Sequence, residues 1–524
     1  MSYSRISLIS FVVLVLGLSS CKQGIQPLEN ILKGELSVKV NPYNKSPLTA
    51  EVSLIADKKG TTRYTVHGPI PVSRDFTSSA FNHNIPIVGL YPDTDNKVSI
   101  EFKVSDTETY VDTLTISTGP LPEFIPEIKV VKADKSKMED GFHLVEQLIA
   151  NNGKFLTFTF MYDDNGDIRW IMDMSDIGQI TYTPYRLKNG NWLYLSWIDM
   201  YEVNDLGKVV SKEQMWNYAG DHDLMELENG NILMGGSKKD AFIVRPQGRF
   251  NSRFDFVVEW DRRQNKGVRE WDLRKVLDVD RTVYPADYSL DFNSDWYHIN
   301  SVDVDKKDGS LLVSGRNQGV LKVDANNNLK YILAAHKGWD RAGFDGNGMD
   351  LKPYLLTAVD TEGNAYPPSV QQGMSGADDF EWPTGQHSAT FLDNGNILLF
   401  DNGLMRNFSK DPTYSRAVEY AIDEENKTIT QVWQYGKEEG LNMHSPITSG
   451  VQVLSGTGNR LITAGNVRRG NLPPHARMVE VSYPDNEEVF EAHIFFKDAL
   501  GTKAQEWAQF DLVYRGARYP LINK

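Results

Sequence analysis

The sequence predicts an all-β protein: a six-bladed β-propeller preceded by a small N-terminal β-sandwich. Three observations carry this. Six apolar strand pairs are broken at Gly, Asn or Asp turns; a more polar strand pair follows each; and the region before them alternates apolar and polar residues in short runs.

The N-terminal region comes first. From about Gly34 to Ile116, the runs "GELSVKVNPY", "LTAEVSLIAD", "RYTVHG" and "KVSIEFKVSD" have the period of half-buried strands, with turn residues between them. The proline-rich "STGPLPEFIPEIKVV" reads as the linker into the second domain, giving a sandwich over 21–125 and a propeller over 126–524.

The repeats follow. The inner hairpins are "LIANNGKFLTF", "YRLKNGNWLYLSW", "MELENGNILMGG", "VDKKDGSLLVSG", "TFLDNGNILLF" and "LSGTGNRLITAG". Asn-Gly and Asp-Gly supply the positive φ angles that tight hairpins require. A second hairpin after each, such as "FMYDDNGDIRWIM" or "VEYAIDEENKTITQVWQY", brings every unit to about four strands, the size of a blade. The C-terminal "EWAQFDLVYRGARY" is suited to supply a closing strand.

Composition narrows the function. The 524 residues are 40% hydrophobic, enough for substantial cores, and the net charge of -15 argues against nucleic acid as a partner. The first 20 residues read as a lipoprotein signal peptide: a basic start at Arg5, an apolar run from Ile6 to Leu18, then "LSSC". Cys21, the single cysteine, would carry the lipid, so thiol chemistry is excluded. Membrane contact is expected only through that anchor. The expected location is the cell envelope of a Gram-negative bacterium, on the periplasmic face or the outer surface. A homodimer is left open.

Four of the ten histidines stand at corresponding strand starts: His222 in "GDHDLMEL", His298 in "DWYHINSVDV", His387 in "GQHSATFL" and His444 in "NMHSPITSGVQVL". A single histidine there would ordinarily bond to nearby backbone. Recurrence at the same place in successive repeats argues instead for one shared pocket. Asn300 falls on the same side of its strand as His298, and Arg316 lies where that hairpin returns.

Neutral imidazoles, an amide and a guanidinium suit an oxyanion such as sulfate or phosphate. Three histidines can also hold zinc, but an arginine among them would repel a metal, and "HExxH" and "CxxC" spacings are absent. A metal-dependent hydrolase and a non-catalytic propeller lipoprotein that binds a ligand or glycan therefore remain as competing readings. Arg406 and Arg416 read as surface cations, the carboxylates of "GADDFEW" as solvated, and the tryptophans of "EWDRR", "REWDL" and "QVWQY" as packing between blades.

With these residues in view, nearly the whole mature chain resembles the bacterial arylsulfate sulfotransferases. The motifs are "DWYHINS", with "SGRNQ" placing Arg316 eighteen residues beyond His298, and "GQHSATFLDNGNILLFDNG" followed by "SRAVEYAID" and "VWQYGKE". The resemblance implies ping-pong transfer of a sulfuryl group from a phenolic sulfate donor to a phenolic acceptor. It also implies that no nucleotide, cofactor or metal takes part. His387 would be the nucleophile, His222, His298 and Arg316 would surround the sulfuryl group, and Asn300 and Thr448 would bind substrate. One departure is that the loop before His387 lacks the cysteine pair of some members.

Overall fold

The structure is a computed structural model that describes residues 24–151, 153–283, 293–497 and 509–522. The signal segment 1–20 and Cys21 lie outside the described residues. The fold is all-β, and the α-helix of the described residues is the single turn Pro368–Gln371.

Two compact units are distinguished. In the smaller, residues Thr61 to Val66 pair antiparallel with Lys103 to Val98, and Gly24–Pro27 runs parallel to residues 108 to 111. Tyr64, Val66, Val98, Ile100 and Phe102 are buried at every second position, as the alternation in the sequence requires.

The larger unit contains six sheets of four or five strands among its described residues. The second sheet runs Tyr182–Arg186, Trp192–Ser196, Asp199–Val203, Val209–Gln214, and the third Tyr218–Glu226, Ile232–Lys238, Phe256–Asp261, Lys266–Asp272. The fourth is Ile299–Val304, Leu311–Gly315, Gly319–Val323, Leu329–Leu333. The fifth begins His387–Phe391, Ile397–Asp401, Arg416–Asp423, and the sixth Gly450–Val453, Arg460–Val467, His475–Val481, Glu488–Phe495. A short hairpin, Phe242–Arg245 with Gly248–Asn251, is inserted in the third repeat and has no counterpart in the sequence reading.

The turns explain why these strands pair in this register. Gly190, Gly230 and Gly395 have φ near +88°, +83° and +92°, and the flanking Leu187, Leu227 and Leu392 donate their N–H to Asn191, Asn231 and Asn396. The asparagines do more than turn the chain. Side chains of Asn191, Asn231, Asn396 and Asn459 donate to Glu202, Glu259, Glu419 and Glu480 on the third strand of the same sheet. Each turn is thereby locked to its own sheet by a charge-assisted bond.

Successive sheets share their cores. Leu193, Leu195 and Met200 of the second sheet pack with Leu224, Met234 and Trp260 of the third. Trp271 lies in the core between the third and fourth sheets, and Trp433 in that between the fifth and sixth, as expected. Trp170 stacks on Trp192 between the first and second sheets, with centroids 5.2 Å apart.

The chain ends depart from the sequence reading in two ways. "LIANNGKFLTF" does not form the edge hairpin of the first sheet, because the C-terminal strand Gln509–Tyr519 takes the edge and pairs with Phe142–Asn151. The closing strand foreseen at the C-terminus therefore exists, and it displaces the hairpin outward by one place. Part of the stretch read as a linker is also a strand: Glu127–Ala133 pairs with Glu488–Phe495 and extends the sixth sheet. Its prolines stop at Pro126, which leaves "EIKVVKA" free to donate along an outer edge.

Candidate active site

The first strands of the third, fourth and fifth sheets begin at His222, His298 and His387 or within a few residues of them, and each carries an irregularity there. The pairing register slips between Gly220 and Leu224, between Ile299 and Ser301, and between His387 and Thr390. His222 and His298 adopt φ of +60° and +61°, Ser388 +57°, and Thr448 +60°. Left-handed backbone at a residue with a side chain costs on the order of 1 kcal/mol. Such bulges re-aim a side chain and cluster at functional sites.

Three histidines converge. The rings of His222 and His298 are 4.7 Å apart between centroids, at 64°. Phe254 lies edge-on to both, at 5.7 and 5.6 Å, and Tyr514 of the C-terminal strand is 5.6 Å from His222. All three histidines are buried, His387 and His298 to within 3% of full burial. Nδ1 of His298 lies 2.5 Å from the Asp295 carboxylate, and Nδ1 of His222 2.8 Å from Asp221.

Hydrogen bonds to backbone carbonyls tie Arg316 and Asn300 to the segments bearing His298 and His387. The Arg316 N–H donates to the carbonyl of His298 at 2.9 Å. Asn300 donates through Nδ2 to the carbonyl of Gln386, and Gln386 donates in turn to Gly315. These bonds stitch the turn bearing Arg316 to the residue before His387. The Asn300 Oδ1 is buried without a hydrogen-bond partner among the described residues.

The protonation of His387 follows from its partners. Its Nδ1 lies 2.9 Å from the Gly385 carbonyl and 2.8 Å from Asn402 Oδ1. The Asn402 amide is oriented because its Nδ2 donates to the carbonyls of Ser445 and Thr448. Both groups facing Nδ1 are therefore acceptors, so Nδ1 carries the proton and Nε2 presents a lone pair. Burial holds the His387 pKa well below the usual histidine value, helped by the Arg316 cation and by His298 and His222, with Asn402 opposing. His298 is also lowered, first by burial, with Asp295 opposing and with His222 and Arg316 reinforcing. Each thus falls within the field of the others.

Thr448 reaches the site through its backbone, since its carbonyl accepts from Asn402 while its hydroxyl donates to Val513 at 3.0 Å. His444 answers to different charges. Burial, Arg469 and Arg406 bring its pKa down to about 4, and Arg316 is not among the causes.

Arg406 and Arg416 are not surface cations. Both are buried on Asp401, each at 2.9 Å, and Glu381 of "GADDFEW" is drawn in beside them rather than solvated. Asp401 also accepts from the N–H of Thr384 and Gly403. Burial raises its pKa, but the two guanidinium groups outweigh that and hold it below the normal carboxylate value. Removing one member of such a cluster strands buried charge. Asp401→Ala is expected to destabilise the fold by about 3–5 kcal/mol, read as a lower midpoint in urea denaturation; an unchanged midpoint would mean the arginines find other partners.

Asn402, Asp295, Asp221, Phe254 and Tyr514 escaped the sequence reading. Asn402 was available by the reasoning that selected Arg316, because both follow the last residue of a second strand, Asp401 and Gly315. In "FDNG" the local signal is that of a turn, with nothing to mark the asparagine as a partner of His387.

An unprotonated Nε2 on an imidazole within the field of two others and a guanidinium can attack an electrophile whose oxygens bear negative charge. Among the described residues, no group of three or more His, Cys, Asp or Glu is arranged to hold a metal ion.

Comparison with known proteins gives the same direction. The family model described as "Arylsulfotransferase (ASST)" matches residues 127–501, and "Arylsulfotransferase Ig-like domain" matches 37–119. The chain is 27% identical to the arylsulfate sulfotransferase AssT of Escherichia coli O6:H1, covering 93% of this chain and 94% of that protein. It is 26% identical to AssT of Lelliottia amnigena, covering 86% and 88%. A solved structure from Bacteroides caccae, of unknown function, aligns over 72% of this chain and 98% of its own, with 11% identity and a TM-score of 0.36.

Proposed function

The chain belongs to the arylsulfotransferase family, and from that premise we propose that it moves a sulfuryl group from a phenolic sulfate ester to a second phenol, by a ping-pong mechanism through a sulfohistidine at His387. The observation that carries this is that both groups against His387 Nδ1, the Gly385 carbonyl and Asn402 Oδ1, are acceptors, which assigns the proton to Nδ1 and leaves Nε2 unprotonated within the field of Arg316.

In the first half-reaction Nε2 attacks sulfur, the N–S bond forms, and the S–O bond to the aryl oxygen breaks. The sulfuryl oxygens gather negative charge as this happens. In this reading Arg316 and the Asn300 amide, which also donates to the Gln386 carbonyl, receive it. In the second half-reaction the oxygen of the acceptor attacks sulfur and the N–S bond breaks. His298, with Nδ1 turned to Asp295, offers Nε2 to take the phenol proton and returns it to the phenolate leaving in the next turnover. Donor and acceptor thus exchange one sulfuryl group and one proton, with no nucleotide or other cofactor.

The six sheets are read as the blades of a six-bladed propeller, supported by the shared cores and by the two strands contributed from opposite ends of the chain. The smaller unit is read as a β-sandwich, in keeping with the Ig-like family match. A lipid on Cys21 would tether the enzyme in the cell envelope.

Incubation with 4-nitrophenyl sulfate and no acceptor tests the covalent step. Mass spectrometry of the acid-sensitive adduct, under alkaline digestion, is expected to place one sulfuryl group on the peptide containing His387. Release of nitrophenolate only on addition of phenol, with no modified peptide, would mean direct transfer between bound substrates.

A further inference from the structure

The turn between the second and third strands can be compared in the second to sixth sheets, and two of its occurrences hold Arg316 and Asn402. In the fourth sheet the strands last pair at Gly315 and Gly319, and Arg316 follows. In the fifth they last pair at Asp401 and Arg416, and Asn402 follows. In the second sheet they last pair at Ser196 and Asp199, and the residue that follows is Trp197. In the third sheet Ser237 follows the last pair, and in the sixth, whose strands last pair at Val467 and His475, Arg468 follows. A large aromatic residue therefore stands where other repeats put the groups that touch or charge the reactive histidine.

The backbone of Trp197 is also tied to the strand that carries His222. Its carbonyl accepts from the N–H of Gly220 at 2.9 Å, and the two residues form a bridge two positions before His222. Its backbone is left-handed, with φ of +54°. Despite that constraint the side chain is 43% exposed, next to Ile198 at 38% and near Trp216 at 70%. The Met215 N–H donates to the Ile198 carbonyl, which keeps the two segments together. Tryptophan carries the largest apolar surface of any residue, and leaving it in water on a strained turn is costly unless something covers it.

We propose that Trp197, with Ile198 and Trp216 beside it, forms the aryl-binding platform of the site, stacking the ring of a phenolic substrate whose oxygen points to the histidines. The proposal rests on the sulfuryl-transfer reading for its choice of occupant. The polar groups of the pocket bind the sulfuryl end and leave the aromatic end to be covered. An indole face does this by offset stacking, with a gain that grows with ring area. Fused-ring phenols should therefore bind better than phenol itself. Trp197 is a positioning residue and holds no reacting atom.

The test compares wild type with Trp197→Ala and Trp197→Phe, using phenol and 2-naphthol as acceptors and 4-nitrophenyl sulfate as donor. Trp197→Ala is expected to raise KM for 2-naphthol roughly tenfold and for phenol less, as loss of a stacking partner implies, with kcat at saturation nearly unchanged. Trp197→Phe should restore most of the loss. Calorimetric binding of 2-naphthol alone, which needs no transfer, separates the two readings. Weaker naphthol binding in the alanine variant supports the platform even if no sulfuryl transfer is detected. Equal KM and equal naphthol binding in wild type and Trp197→Ala, or no naphthol binding by wild type, overturns it.

Discussion

Replacing His387 with asparagine is expected to abolish sulfuryl transfer from 4-nitrophenyl sulfate to phenol, a loss on the order of 10⁴-fold or more, as for other removed nucleophiles. The substitution is informative because an asparagine amide overlays the Nδ1 side of the ring. It can still donate toward Gly385 and Asn402, which are the partners of His387, so the turn keeps its bonds. What disappears is Nε2. The wild-type pH profile provides a second check. Burial and the Arg316 cation hold the His387 pKa well below 6.5, so its imidazole remains unprotonated as pH falls through the range where an ordinary histidine gains its proton. Initial rates at saturating donor should then show an acid limb well below pH 6.5. Near wild-type turnover in His387→Asn would remove His387 from the reaction path.

Particular residues show how far the sequence could be read. The Asn-Gly turns located the hairpins because φ is a local property: only a few residues tolerate the angle found at Gly190, Gly230 and Gly395. The convergence of His222, His298 and His387 was legible because the repeats place equivalent strand starts together. Strand exchange between the ends was harder to see. Nothing local marks Glu127–Ala133 as a partner of Glu488–Phe495, since pairing at an edge is decided by which edge remains open. The buried cluster of Asp401, Arg406 and Arg416 was misread for a related reason: charge alone suggests solvent, and only the fold supplies the carboxylate that reverses it. His444 shows the limit of positional reasoning, because it begins its repeat as the others do yet answers to Arg469 and Arg406.

Arg316→Ala is expected to lower kcat by about 10²–10³-fold, the scale seen when one group stabilising a developing oxyanion is removed, with a smaller change in KM. The backbone N–H of Arg316, bonded to His298, survives the substitution, so the turn stays in place and only the guanidinium is lost. That group contributes twice. In the proposed mechanism it neutralises charge on the sulfuryl oxygens, which is greatest in the transition state and would therefore appear in kcat. It also depresses the pKa of His387 and of His298. Without the cation both pKa values rise, so the acid limb of the residual activity should move toward higher pH than in wild type. A purely structural arginine would move stability and leave that limb where it was. Arg316→Lys should restore charge without the planar fork, returning the limb toward its wild-type position while recovering only part of kcat. Stopped-flow release of 4-nitrophenolate across pH reads both effects, and a variant with unchanged kcat and an unshifted limb would place Arg316 outside the sulfuryl pocket.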